Sequence, residues 1–176
     1  PSGSINVRTL DNEVAALVIT QSGGTTIVSE SGSTDTFAVK LMSAPVGPVT
    51  VNLFSSDASE SRVSPLVLLF TTGNWNVPQT VIVTGLDDYD VDGDIDSIVT
   101  MFFATSSSGT YRTAASQFVI ARTQDNDLAV PAVRSPTAFT TSQRPVISWT
   151  AVAGATQYDV WIQNLATGQN PMLHTL

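Results

Sequence analysis

The chain has no cysteine in its 176 residues, a single histidine, and seven lysines and arginines against fifteen aspartates and glutamates. Without cysteine there is no disulfide framework, no thiolate metal site and no cysteine nucleophile. The one histidine, His174, stands near the end of the chain, and neither a Gly-x-Ser-x-Gly elbow nor a glycine-rich phosphate loop before a helix occurs, so the expectation is that the protein is not an enzyme. A net charge of −8 argues against nucleic acid and insertion into an anionic membrane, because both select basic patches. No apolar run approaches the roughly 20 residues of a membrane-spanning helix. No charged leader followed by an apolar stretch marks a signal peptide. Apolar residues at a 3.6-residue period never persist long enough for a substantial helix.

What is abundant is aspartate in one place. Asp87, Asp88, Asp90, Asp92, Asp94 and Asp96 fall in one short run, interleaved with Tyr89, Val91, Gly93 and Ile95 and with no lysine or arginine among them. Two unit charges about 4 Å apart repel by roughly 4 kcal/mol at a near-surface effective dielectric of about 20. A compact loop of this composition therefore calls for a counter-charge, and a hard cation supplies one. Carboxylate oxygens in a flexible loop suit Ca²⁺, which takes six to eight of them in loose geometry, better than the octahedron Mg²⁺ demands. The simpler alternative is a solvated acidic turn. An EF-hand is rejected: Asp88, Asp90, Asp92, Gly93, Asp94 and Asp96 match its early loop positions, but Val99 stands where the bidentate glutamate belongs and the flanks read as strands.

Self-comparison finds Arg8-Thr9-Leu10-Asp11-Asn12-Glu13-Val14-Ala15 again as Arg122-Thr123-Gln124-Asp125-Asn126-Asp127-Leu128-Ala129, a full domain length later. A repeat of that period indicates a tandem array. The expected organisation is a last strand of a preceding repeat at 1–13, one complete domain at 14–128, and a partial further domain at 129–176, the whole belonging to a longer protein. Within the complete domain, strands are expected at 16–19, 36–41, 49–54, 67–70, 80–83, 98–103 and 117–120, separated by glycine, proline and serine turns. Seven such runs give an all-β fold, an antiparallel two-sheet sandwich.

Five separated motifs carry a family resemblance: Val28-Ser29-Glu30-Ser31-Gly32-Ser33-Thr34-Asp35, Val63-Ser64-Pro65, Asn74-Trp75-Asn76-Val77-Pro78 running on to Gly85, the acidic loop, and Asp125-Asn126-Asp127. In this order they resemble a Calx-beta-type domain of bacterial surface and adhesion proteins, over residues 14–128. The resemblance implies an immunoglobulin-like sandwich with Ca²⁺ at one end. Its implied ligands are Glu30, Asp57, Asp87, Asp88, Asp90, Asp92, Asp125 and Asp127, with Glu60 a weaker candidate near Asp57. Asp125 and Asp127, two apart, would share a face of a regular strand and repel unless a cation bridged them. Asp57 in Ser55-Ser56-Asp57-Ala58 reads equally well as a turn former, and Asp94 and Asp96 as solvated.

From Pro131 onward the chain resembles the first strands of a fibronectin type III domain, with Trp149, Tyr158 and Trp161 as core residues. The expected function is a calcium-stabilised structural or adhesive repeat of a large extracellular bacterial surface or matrix protein. Its expected partners are adjacent domains of the same polypeptide and, through strand complementation at the two chain ends, other subunits of a filament. The alternative is a carbohydrate-binding module, with Trp75 stacking on a glycan.

Overall fold

Period-two alternation puts every second residue of a strand on the same face, so runs such as Phe37, Val39 and Leu41 can be buried together while their neighbours meet water. A computed structural model describes residues 14–104, 107, 109–135, 146–164 and 169–175, with side chains up to residue 160, and among them the chain divides into two units meeting at Asn126 and Asp127.

In the first unit the strands are β1 (Leu17–Gln21), β2 (Thr26–Ser29), β3 (Thr34–Leu41), β4 (Val49–Ser55), β5 (Ser61–Ser64), β6 (Val67–Phe70), β7 (Gln79–Gly85), β8 (Ile95–Phe103) and β9 (Gln117–Gln124). They form a four-stranded sheet in the order β1-β3-β7-β5 and a five-stranded sheet in the order β2-β9-β8-β4-β6. The fold is an all-β sandwich, and its core is what the inward residues of both sheets make together: Phe37, Val39, Val81 and Val83 from one, Val51, Val99, Met101 and Val119 from the other. All pairings are antiparallel except one, in which β2 runs parallel to β9.

Two of the nine strands were not expected from the sequence. β2 and β5 are four residues each, and two of the four in β2 and three of the four in β5 are serine, threonine or arginine, so turn chemistry hides the alternation. Both are edge strands. β8 begins at Ile95 and β9 continues to Gln124, so the acidic segment outside the strands shrinks to residues 86–94. The reasoning that Asp125 and Asp127 share a strand face is corrected accordingly, since β9 stops before either.

Side chains close several free backbone edges. Along β2, Asp35 Oδ2 accepts the Ile27 N–H at 2.9 Å and Ser33 Oγ the Ser29 N–H at 2.7 Å. At β6, the Leu69 carbonyl accepts from Asn74 Nδ2 at 3.2 Å and Gln79 Nε2 at 2.7 Å. Gln117 does the same at β1, its amide bracketing the Leu17 backbone at 2.6 and 3.3 Å. At the end of the sandwich away from the acidic loop, Tyr111 is buried against Phe103, and its hydroxyl donates to the Ser43 carbonyl at 2.7 Å. Trp75 packs against the core rather than standing free.

The second unit contains β10 (Val133–Ser135) paired antiparallel with β11 (Ser148–Trp149), and β12 (Asp159–Asn164) paired antiparallel with β13 (Gln169–Thr175). Trp149 and Tyr158 pack with ring centroids 5.4 Å apart, and the Tyr158 hydroxyl accepts the Val152 N–H at 2.7 Å. The side chain of Trp161 and the strand expected at residues 1–13 lie outside the described residues.

Candidate metal centre

A glycine sets the geometry. A Cβ on Gly85, the last residue of β7, would lie 2.1 Å from the Ser29 backbone oxygen, so the end of β2 is seated where only a residue without a side chain allows it. Ser29 leads into Glu30 and Gly85 into Leu86 and the aspartate loop. The close approach therefore brings the two acidic segments together. Around them the backbone is tied by Gly85 N–H to Ser33 O at 3.1 Å, Leu86 N–H to Glu60 O at 2.9 Å and Glu30 N–H to Gln124 O at 3.1 Å.

Three carboxylates converge here: Glu30, Glu60 and Asp88 each place an oxygen within 4.8 Å of the others, and Glu30 is also that close to Asp125. Glu30 is 1% exposed and Glu60 5%, whereas Asp88 is half-buried. Glu30 Oε2 accepts the Asn126 N–H at 3.1 Å. Glu60 Oε2 is buried and, among the described residues, has no hydrogen-bond partner. Burial in the first place, and then the charges of Asp92, Asp57, Asp88 and Glu30, hold the Glu60 carboxyl above the usual carboxylate range. An isolated buried carboxylate is costly, and a cation at this point would satisfy both the orphan oxygen and the mutual repulsion.

The remaining expected residues fall into distinct positions. Asp92 is exposed in the loop but contributes the largest charge effect on Glu60. Asp87 is exposed and accepts from Asn126 Nδ2 at 3.2 Å. Asp90 is exposed, belongs to neither carboxylate group, and donates its N–H to Asp88 Oδ1 at 2.8 Å. Asp125 Oδ2 accepts the Gly93 N–H at 2.8 Å, which pins the loop tip to the end of β9, and Gly93 takes the positive φ of 81° that such a tight loop needs. Asp127 is half-buried and opens the second unit.

Asp57 is occupied in its own turn. It accepts the Ser59 N–H at 3.0 Å and Ser59 Oγ at 2.5 Å, and these bonds hold its pKa below the usual value. The carboxylate that enters the cluster from this segment is Glu60. The family resemblance ranked Asp57 above Glu60 as a ligand; in the structure the order is reversed, because the segment leading into β5, which pairs with β7, brings Glu60 to Glu30. Asp96 lies in β8 opposite Arg122, bound by two hydrogen bonds of 2.7 and 2.9 Å, so the acidic run is not without a cation after all.

Oxygen-only donors, two of them buried, are the donor set of a hard cation, and Glu30, Glu60 and Asp88, with Asp125 close to Glu30, are compatible with one of the calcium type. The fold and this end define a β-sandwich module with an acidic, carboxylate-lined tip. No family model matches the sequence, and neither does any curated protein. Solved structures with some similarity include the apo form of the Calx CBD1 domain, at 12% identity over 63% of this chain and 98% of that one, TM-score 0.41. Two others are the periplasmic chaperone SfaE, at 10% identity over 66% and 61%, TM-score 0.48, and SSP-19, an MSP-domain-like protein of Caenorhabditis elegans, at 13% identity over 60% and 97%, TM-score 0.40. The fold assignment rests on the strand pairing itself.

Proposed function

We propose that the first unit is a calcium-stabilised structural repeat, without catalytic activity, of a large extracellular bacterial surface or adhesion protein. The observation that carries this reading is the buried, unpartnered Glu60 Oε2 within 4.8 Å of the Glu30 and Asp88 carboxylates. Glu30, Glu60, Asp88 and Asp125 are the proposed ligands, with Asp87 and Asp92 reachable from the loop and Asp127 close by in sequence. On this reading the partners are adjacent domains of the same polypeptide, and strand donation into a filament would run through the chain ends, of which residues 1–13 lie outside the described residues. Trp75 belongs to the core packing, which favours the structural module over glycan stacking.

Calorimetric Ca²⁺ titration combined with thermal melting tests the proposal. Extracellular modules bind in the range of about 10⁻⁴ to 10⁻³ M. At free calcium 100 times the dissociation constant, mass action adds about 2.7 kcal/mol, which for a unit of this size raises Tm by about 10 °C. Identical melting curves in excess EDTA and in saturating calcium would overturn it.

A further inference from the structure

The outward residues of the five-stranded sheet are unusual for a surface meeting water. Phe54, Phe102, Phe118, Ile98, Ile120 and Leu69 all point away from the core, with Phe118 62% and Leu69 61% exposed. They are contiguous across four strands. Ile98 stands opposite Ile120, Thr100 stands between Phe54 and Phe118, and the Phe54 and Phe102 rings meet edge to face at 6.1 Å. Half-exposed side chains of this size leave an apolar patch on the order of 600 Å², at or above the largest patch of a typical monomer. With Thr50, Asn52 and Thr100 among them, the face approaches the roughly 800 Å² per partner of a stable interface.

We propose that this face is the contact between two copies of the chain, packed sheet against sheet. Charge selects a second copy as the occupant. The chain carries −8 overall, yet the only charged side chains on the outward face of these strands are Asp96 and Arg122, which pair with each other and cancel. A basic protein partner would be drawn to the acidic tip. A two-fold contact sets the same patch on both sides, and a patch of zero net charge meets itself without repulsion. A groove of about 480 Å³, lined by Ile27, Phe118 and Ile120 on one hand and by the Asp96 and Arg122 pair itself on the other, gives a side chain of the opposing copy a place to insert. Association by strand addition at the two edges of this sheet is hindered, because Asp35 and Ser33 cover β2 and Asn74 and Gln79 cover β6.

Sedimentation equilibrium of the 176-residue chain in millimolar calcium, over about 1 µM to about 1 mM, reads the result directly. The mass is expected to double saturably. Phe118→Asp and, separately, Leu69→Asp are expected to weaken the dimer by about tenfold or more while keeping the β-sheet circular dichroism. Ile82→Asp, on the outer face of the other sheet, is expected to leave it intact. A chain that stays monomeric throughout, or a dimer as tight in both Phe118→Asp and Leu69→Asp as in the parent, would overturn the proposal. So would a dimer broken equally by Ile82→Asp.

Discussion

The two sheets obey the same alternation and bury the same kind of residue, yet their outer faces differ in chemistry. The four-stranded sheet turns mainly Thr20, Thr36, Lys40, Arg62, Thr80 and Thr84 outward, with Val18, Ala38 and Ile82 as exceptions. The five-stranded sheet turns three phenylalanines, three isoleucines, a leucine and a valine outward. Folding is driven by what lies between the sheets, so it places no demand on the outer chemistry of either. The difference is therefore information about use. A sandwich needs an apolar inside, and an apolar outside serves something else.

Substitutions on inward and outward positions should separate most sharply. Phe37→Ala, in the core, is expected to lower unfolding stability by about 3–5 kcal/mol. Phe118→Ala on the outer face should change the stability of the dilute monomer by no more than about 0.5 kcal/mol. Urea denaturation at low micromolar concentration measures both, and equal losses would mean that the outer face is folded against something within the chain.

The comparison extends to the tip, where burial and charge act against each other. Glu60→Gln removes a charge whose ionised form the fold disfavours, so in EDTA the variant should melt at the parent temperature or above it. In saturating calcium it should lose most of the expected gain of about 2.7 kcal/mol. A change of the same sign under both conditions would show that Glu60 is not a ligand.

The pH dependence has a defined direction. With its pKa raised in the folded state, Glu60 holds a proton there at pH values where the unfolded chain has released it. The associated stability is complete below the ordinary glutamate value and is lost as pH rises through the raised one. Calcium-free melting temperatures should accordingly fall over that window in the parent, and fall less in Glu60→Gln. Parallel profiles for the two would contradict the assignment.

Gly85→Ala probes how the tip is held. Overpacking against the Ser29 backbone should cost about 1–3 kcal/mol, and moving β2 off β7 should weaken calcium binding although no ligand is changed. Calorimetry showing a parent-like affinity would mean that Glu30 does not depend on this contact. The smallest effect is expected at Arg122→Ala, which removes an exposed ion pair with Asp96 and should leave the melting midpoint unmoved in dilute solution.

Alternation in β3, β4, β7, β8 and β9, the absence of helical periodicity and the concentration of aspartate were all present in the sequence, because each is a local pattern repeated over enough residues to be read. β2 and β5 were not, because an edge strand of four residues, half or more of them polar, carries no more apolar signal than a turn. The acidic run pointed to a cation, but which carboxylates meet depends on contacts far apart in the chain. Glu30 reaches Glu60 and Asp88 only because Gly85 lets β2 lie against β7, and Glu60 rather than Asp57 faces inward only because β5 pairs with β7. The apolar outer face was equally hidden. Phe54, Phe102 and Phe118 lie on three separate strands, and before β4, β8 and β9 are ordered side by side nothing in the chain tells an outward phenylalanine from a buried one.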